Sequence, residues 1–296
     1  MNTNMIAGKN IKTAIHHRLP VSLTQPLPLQ ASGQIYVTIA LQRSGQHAVI
    51  NWLCEQLGSV VHFNHCTFMR KGLTMMPVPV SGRYVTYLDQ VKTDSGIIAG
   101  EQDKTALEAF FNQLTQIGLY QNIIYSFEDW DLKDIYLQKL IRNRSLKVIL
   151  ILRDPYNWLA STFKHHDSKT PIILLEEKKK RLISYLEQVL NINDYLNHDV
   201  VAIDFSQWLV STQYRKEIME QLGLTFSESL ETSFGEVQPF GGGSSFDGQI
   251  VEPNVLRKSV SERWRSYEDN QEYRALLKDD NLKKLALRFF NFEKPF

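Results

Sequence analysis

IALQRSGQHAVINWL, residues Ile39–Leu53, is the stretch from which the fold of this chain is read. It continues a nearly unbroken apolar, β-branched run, QIYVTIAL (34–41), the pattern of a parallel strand buried on both faces. The polar turn QRSG follows, after which Val49, Trp52, Leu53 and Leu57 recur at the spacing of an amphipathic helix. Strand, tight loop and helix in that order bring backbone N–H groups to a helix start, where the macrodipole favours an anion. A magnesium-nucleotide loop places Lys and then Ser or Thr directly after its last glycine. Here Gly45 is followed by Gln46 and His47, so a magnesium-ATP site is poorly served, and Arg43, ahead of the glycine, is the available cation.

Working outward, short apolar runs recur at SVVHF (59–63), NIIYSF (122–127), KVILIL (147–152) and DVVAIDF (199–205), with helical patterns between several of them. This alternation predicts an α/β fold with a mostly parallel central sheet and helices on both faces, whose ligands sit beyond the carboxyl ends of the strands. Residues 1–30 read as an N-terminal arm and 31–296 as a single domain. The segment 72–104 lacks a sustained period and reads as a mobile insertion over the site, its fragment RYVTYL being ambiguous. A last helical stretch from about Asn270 to Phe290 offers Tyr273, Leu276, Leu277 and Leu285 as anchors against the sheet.

A chain of 296 residues is long enough for a sizeable core, and its formal net charge of +1 argues against a bulk nucleic-acid binder. No acidic residue precedes Glu55, whereas Lys9, Lys12, Arg18 and Arg43 do, which sets a local positive field around the loop. Cys54 and Cys66 show neither disulfide-framework nor zinc spacing, and reduced thiols of a cytoplasmic protein are expected. No run approaches the roughly 18 apolar residues of a membrane span.

The loop with its basic residue, Ser and Gly before a helix resembles the 5′-phosphosulfate loop of sulfotransferases that use 3′-phosphoadenylyl sulfate, PAPS. A second element, VILILRDPYNWLAST, resembles that family's 3′-phosphate motif, with Arg153 at the strand end and Ser161 two helical turns later. Asp154 as N-cap and Pro155 as first helical residue independently predict a helix just after Arg153. The resemblance implies the P-loop-like sulfotransferase fold and PAPS as co-substrate with no metal required. It implies cofactor contacts from Arg43, Ser44, Gly45, Gln46, His47 and Ala48, and from Arg153 and Ser161. The run GGGSSFDG (241–248) resembles the family's glycine-containing lid, with Gly242, Gly243, Ser244 and Ser245 toward the 3′-phosphate; Arg257 and Lys258 follow without a secure alignment. The chain departs from the commoner loop in placing Gln46 and His47 where Thr or Ser usually stands, although an amide and an imidazole can both donate to phosphate.

Sulfuryl transfer is an in-line displacement in which charge grows on the leaving 5′-phosphate oxygen; Arg43 with the Gln46 and His47 amides are the groups available to meet it, and Arg43 and His47 are counted as catalytic. The acceptor, a small molecule or carbohydrate, must lose a proton. Glu128, at the end of NIIYSFEDWDL, is the first choice for the base and Asp129 the second; His62 and His65 lie within reach of the region, and their spacing sends them to opposite strand faces. The acidic trio Glu128, Asp129 and Asp131 suggests a neutral sugar or a cationic small molecule as acceptor. Three other readings remain open: a kinase, a metal-dependent glycosyltransferase using DWD (129–131) as its D-x-D element, and a catalytically silent nucleotide-binding domain.

Overall fold

A computed structural model describes residues 33–58, 60–63, 66–71, 74–79, 83–87, 97–99, 122–142, 145–166, 172–231 and 260–291. Its strands are β1 (Ile35–Ala40), β2 (Val60–Phe63), β3 (Cys66–Lys71), β4 (Thr74–Pro79), β5 (Arg83–Tyr87), β6 (Ile97–Ala99), β7 (Asn122–Glu128), β8 (Leu146–Leu152) and β9 (Val200–Asp204). The helices are α1 (Gln46–Leu57), α2 (Ile135–Arg142), α3 (Pro155–His166), α4 (Ile172–Val189), α5 (Phe205–Val210), α6 (Thr212–Leu222), α7 (Gln271–Leu277) and α8 (Asp280–Phe290).

The main sheet runs in the order β6-β5-β2-β7-β1-β8-β9. From β2 to β9 every neighbouring pair is parallel, and only β5 and β6 are added antiparallel at one edge. Every residue of β1 is buried because helices cover both of its faces. Strand alternation sends Ile35, Val37 and Ile39 into one apolar layer with Trp158 and Tyr185, and Tyr36 and Ala40 into another with Trp52 and Trp208. The two-sided α/β architecture expected from the sequence is therefore present.

The region 72–104 differs from the irregular insertion that its composition suggests. It holds β4, which pairs with β3 in a separate two-stranded sheet, and β5 and β6, which extend the main one. Strands of three to six residues are too short to set up a readable period, so pairing at an edge decides their state. The rest of 72–104 and the arm 1–30 lie outside the described residues. At the other end, the single helical stretch resolves into α7 and α8, because the Asp279 carboxylate accepts from Leu282 N–H and starts a new helix. All four expected anchors, Tyr273, Leu276, Leu277 and Leu285, are buried. Among the described residues no helix is long and apolar enough to cross a membrane.

Register brings the segments singled out in the sequence to one end of the sheet. Ala40 at the end of β1 lies opposite Glu128 of β7 and Ile151 of β8, and Leu152 lies opposite Asp204 of β9. The loop 41–45, the turn after Glu128 and the turn at Arg153 consequently share the carboxyl end of the sheet, as a ligand site in such a fold requires.

Candidate active site

The loop between β1 and α1 is bent tightly enough to need two left-handed residues, Arg43 at φ 72° and Gly45 at φ 88°. Glycine adopts that geometry without penalty, whereas for Arg43 it costs on the order of 1–3 kcal/mol that the surroundings must offset. They do so through the loop backbone. Gln42 N–H donates to Asp129 Oδ1 at 3.0 Å, Trp158 Nε1 donates to the Gln42 carbonyl at 3.1 Å, and Arg153 Nη1 donates to the Arg43 carbonyl at 3.3 Å. Ser44, itself buried, closes the turn by donating its N–H to the Leu41 carbonyl at 3.1 Å.

Gly45 is the N-cap of α1, and the Phe205 ring packs directly over it. A Cβ there would sit 2.3–2.6 Å from that ring. Gly45→Ala is expected to lower fold stability by about 1–3 kcal/mol, the usual cost of overpacking, and to do so in the free protein. Denaturant unfolding without nucleotide measures it, and an unchanged midpoint would show that Phe205 yields.

The remaining loop residues divide by direction. Gln46 is buried and turns downward, its Nε2 donating to Thr38 Oγ1 at 3.1 Å and to the Phe127 carbonyl at 3.4 Å. That side chain is occupied beneath the loop, so an anion at the helix start meets the Gln46 backbone rather than its amide group. Ala48 is exposed and gives its N–H to the Gly45 carbonyl. His47 faces Glu128, with Nδ1 4.0 Å from Oε1.

Glu128 ends β7 with its side chain 10% exposed. It also faces Arg43, whose guanidinium is drawn below its ordinary value by burial and by neighbouring Arg263, while Glu128 opposes the shift. Asp129 is engaged elsewhere. It stands at φ 55°, and its second oxygen pairs with Lys178 of α4 at 2.8 Å. Asp131 accepts from Lys133 N–H, and Asp134 caps α2 by accepting from Tyr136 and Leu137 N–H. The acidic trio thus loses Asp129 to an ion pair and keeps Glu128 as the carboxylate beside Arg43 and His47, which removes much of the reason to expect a cationic acceptor.

His62 is fully buried and its Nε2 lies 2.9 Å from Ser126 Oγ. Burial, with His47 nearby, pushes its pKa down to about 3, so the ring is neutral near pH 7 and is enclosed. His65 lies outside the described residues, as do Gly242, Gly243, Ser244, Ser245, Arg257 and Lys258.

The turn after β8 forms as its sequence predicts. The Asp154 carboxylate accepts from Asn157 N–H at 2.9 Å, and α3 starts at Pro155. Arg153 and Ser161 are both buried and both meet the segment beginning at Val260. Arg153 Nη2 donates to the Val260 carbonyl at 2.7 Å, and Arg263 Nη1 donates to Ser161 Oγ at 3.4 Å. Arg263 was not legible as a site residue. It stands in R-W-R beside Arg265, and the distinction lies in burial: Arg263 is enclosed, while Arg265 is exposed and pairs with Glu262. Arg43, Arg153 and Arg263 therefore gather around the carboxyl ends of β1 and β8, in contact with the loop at one end and Ser161 at the other.

No family model matches the chain, and no curated protein matches it in sequence. Among solved structures it is similar to the sulfotransferase domain of the Synechococcus PCC 7002 olefin synthase, at 15% identity over 89% of this chain and 96% of that one, with a TM-score of 0.49. It is also similar to mouse sulfotransferase SULT7A1 complexed with PAP, at 15% identity over 86% of this chain and 85% of that one, with a TM-score of 0.45.

Proposed function

We propose that the chain is a PAPS-dependent sulfotransferase that moves a sulfuryl group to a hydroxyl or amine of a small-molecule or carbohydrate acceptor. The observation that carries this reading is the gathering of Arg43, Arg153 and Arg263 on one strand-end edge, between the start of α1 and Ser161. Neighbouring guanidiniums favour an entering phosphate, and Glu128 supplies only a single opposing charge beside Arg43. The set spans two subsites, one at a helix start and one on Arg263 and Ser161, which suits a nucleotide phosphorylated at two separate positions.

In this reading the start of α1 and Arg43 hold the 5′-phosphate, and Arg153, Ser161 and Arg263 hold the 3′-phosphate. The acceptor oxygen bonds to sulfur as the bond from sulfur to the 5′-phosphate oxygen breaks. Arg43 and His47 stabilise the charge that the leaving oxygen gains, and Glu128 receives the acceptor proton. The commitments of Asp129 to Lys178 and of Asp131 to its own turn speak against the D-x-D alternative, which needs carboxylates directed at a metal.

The test is binding. 3′,5′-Adenosine bisphosphate is expected to bind and stabilise the fold without divalent metal, by about 2.7 kcal/mol at 100 times its dissociation constant, and adenosine 5′-monophosphate much less. Calorimetry and thermal shift measure both, and turnover of PAPS with an acceptor panel completes the assignment. Equal shifts from the two nucleotides would remove the 3′-phosphate site.

A further inference from the structure

We infer that Asp129 and Lys178 are positioning residues that fix the conformation of Arg43 through Gln42. The inference rests on the reading of Arg43 as the group facing the leaving oxygen.

Gln42 immediately precedes Arg43, and three of its polar atoms are held by three different elements. Its N–H goes to Asp129 Oδ1 at 3.0 Å, just past β7; its carbonyl accepts from Trp158 Nε1 of α3 at 3.1 Å; and its side-chain Oε1 accepts from Lys178 Nζ of α4 at 3.1 Å. Lys178 closes the circuit by pairing with the other Asp129 oxygen at 2.8 Å. The side chains of Lys178 and Asp129 are only 13% and 23% exposed, so water screens the pair weakly.

The two residues nearest the clamp, Arg43 and Asp129, are both held in left-handed backbone geometry, at φ 72° and 55°. Non-glycine residues stay there only when neighbours over-determine them. Asp129 N–H also donates to the Ala40 carbonyl at 2.9 Å, so one residue holds the end of β1 by its backbone and the loop by its side chain. Fixing Gln42 by both its N–H and its carbonyl, the latter part of the peptide unit that leads into Arg43, leaves Arg43 little freedom to relax toward ordinary geometry. A guanidinium aimed before the reaction begins pays no reorganisation as charge develops. Asp129, the second choice for the base by sequence, thereby acquires a different task, since one of its oxygens is held by the Gln42 N–H and the other by the Lys178 ammonium.

The experiment compares Lys178→Met and Asp129→Asn in the unaltered and the Arg43→Ala backgrounds, reading single-turnover rates with PAPS and an acceptor. Each is expected to slow turnover about tenfold in the presence of Arg43 and by less than twofold in its absence, because the clamp acts through that side chain. In the free protein, amide hydrogen exchange of a peptide covering 41–46 is expected to accelerate about tenfold while β8 is unchanged. Equal rate losses in both backgrounds, or equal acceleration of the loop and β8, would overturn the proposal by showing a merely structural role. If the unaltered protein neither binds 3′,5′-adenosine bisphosphate nor consumes PAPS, the sulfuryl-transfer reading fails. The exchange arm, which needs no nucleotide, then decides alone whether the clamp holds the loop.

Discussion

Replacing Glu128 with glutamine is expected to lower turnover by about 10²–10⁴-fold, the range for losing a positioned general base, while leaving nucleotide affinity equal or slightly higher. The affinity half of the result follows from electrostatics. Glu128 offsets the crowding of Arg43 by Arg263, so removing its charge makes the edge more attractive to a phosphate. Glutamine keeps the shape and can still face His47, so the fold should tolerate it. Calorimetry with 3′,5′-adenosine bisphosphate and single-turnover rates with PAPS separate the two effects. Retained turnover in Glu128→Gln, with loss in His47→Ala, would move the base to the imidazole. Asp129 and His62 are weaker candidates, the first because it is bound to Lys178 and Gln42, the second because it is enclosed against Ser126.

Arg43→Ala is expected to cost about 10²–10³-fold in turnover, the scale for losing one donor to a developing anion, and much less in ground-state affinity. Its charge is most useful once the leaving oxygen becomes negative, which is the condition for raising kcat rather than only tightening binding. Arg153→Ala should show the opposite balance. Its guanidinium ties the Arg43 carbonyl to the Val260 carbonyl, so its loss opens the nucleotide site before any chemistry takes place. Matching patterns for the two substitutions in binding and single-turnover rates would show that the roles are wrongly divided.

The parallel strands, the tight turn at Gly45 and the helix start after Arg153 were legible because each is local: an apolar run, a turn with glycine, a capped helix start. Asp154 and Pro155 announced α3, and the structure begins that helix where they require. Of the short edge strands, β5 was visible only as the ambiguous strand fragment RYVTYL and β6 not at all, since their state depends on pairing more than on any pattern of their own. The same limit hid the loop's supports. Gln42 lies 87 positions from Asp129 and 136 from Lys178, and nothing in a solvated helix face such as EEKKKR distinguishes the lysine that reaches it. Gln46 misled for a related reason: its amide suits a phosphate by chemistry, but its place on α1 directs it to Thr38 and the Phe127 carbonyl.

The stitching of residues 260–264 onto the turn after β8 has a consequence for the order in which the chain is made. Arg153 gives a hydrogen bond to the Val260 carbonyl, Asn157 gives one to the Ser261 carbonyl, Arg263 reaches Ser161, and Trp264 N–H returns to Asn157 Oδ1. The loop between β1 and α1 is made before the groups that enclose it, among which Arg153 follows Arg43 by 110 positions. In the proposed reading, a nascent chain that has not reached Arg263 holds the loop and the start of α1 without the donor beside Ser161, so competence for the nucleotide is acquired only once that residue has been made.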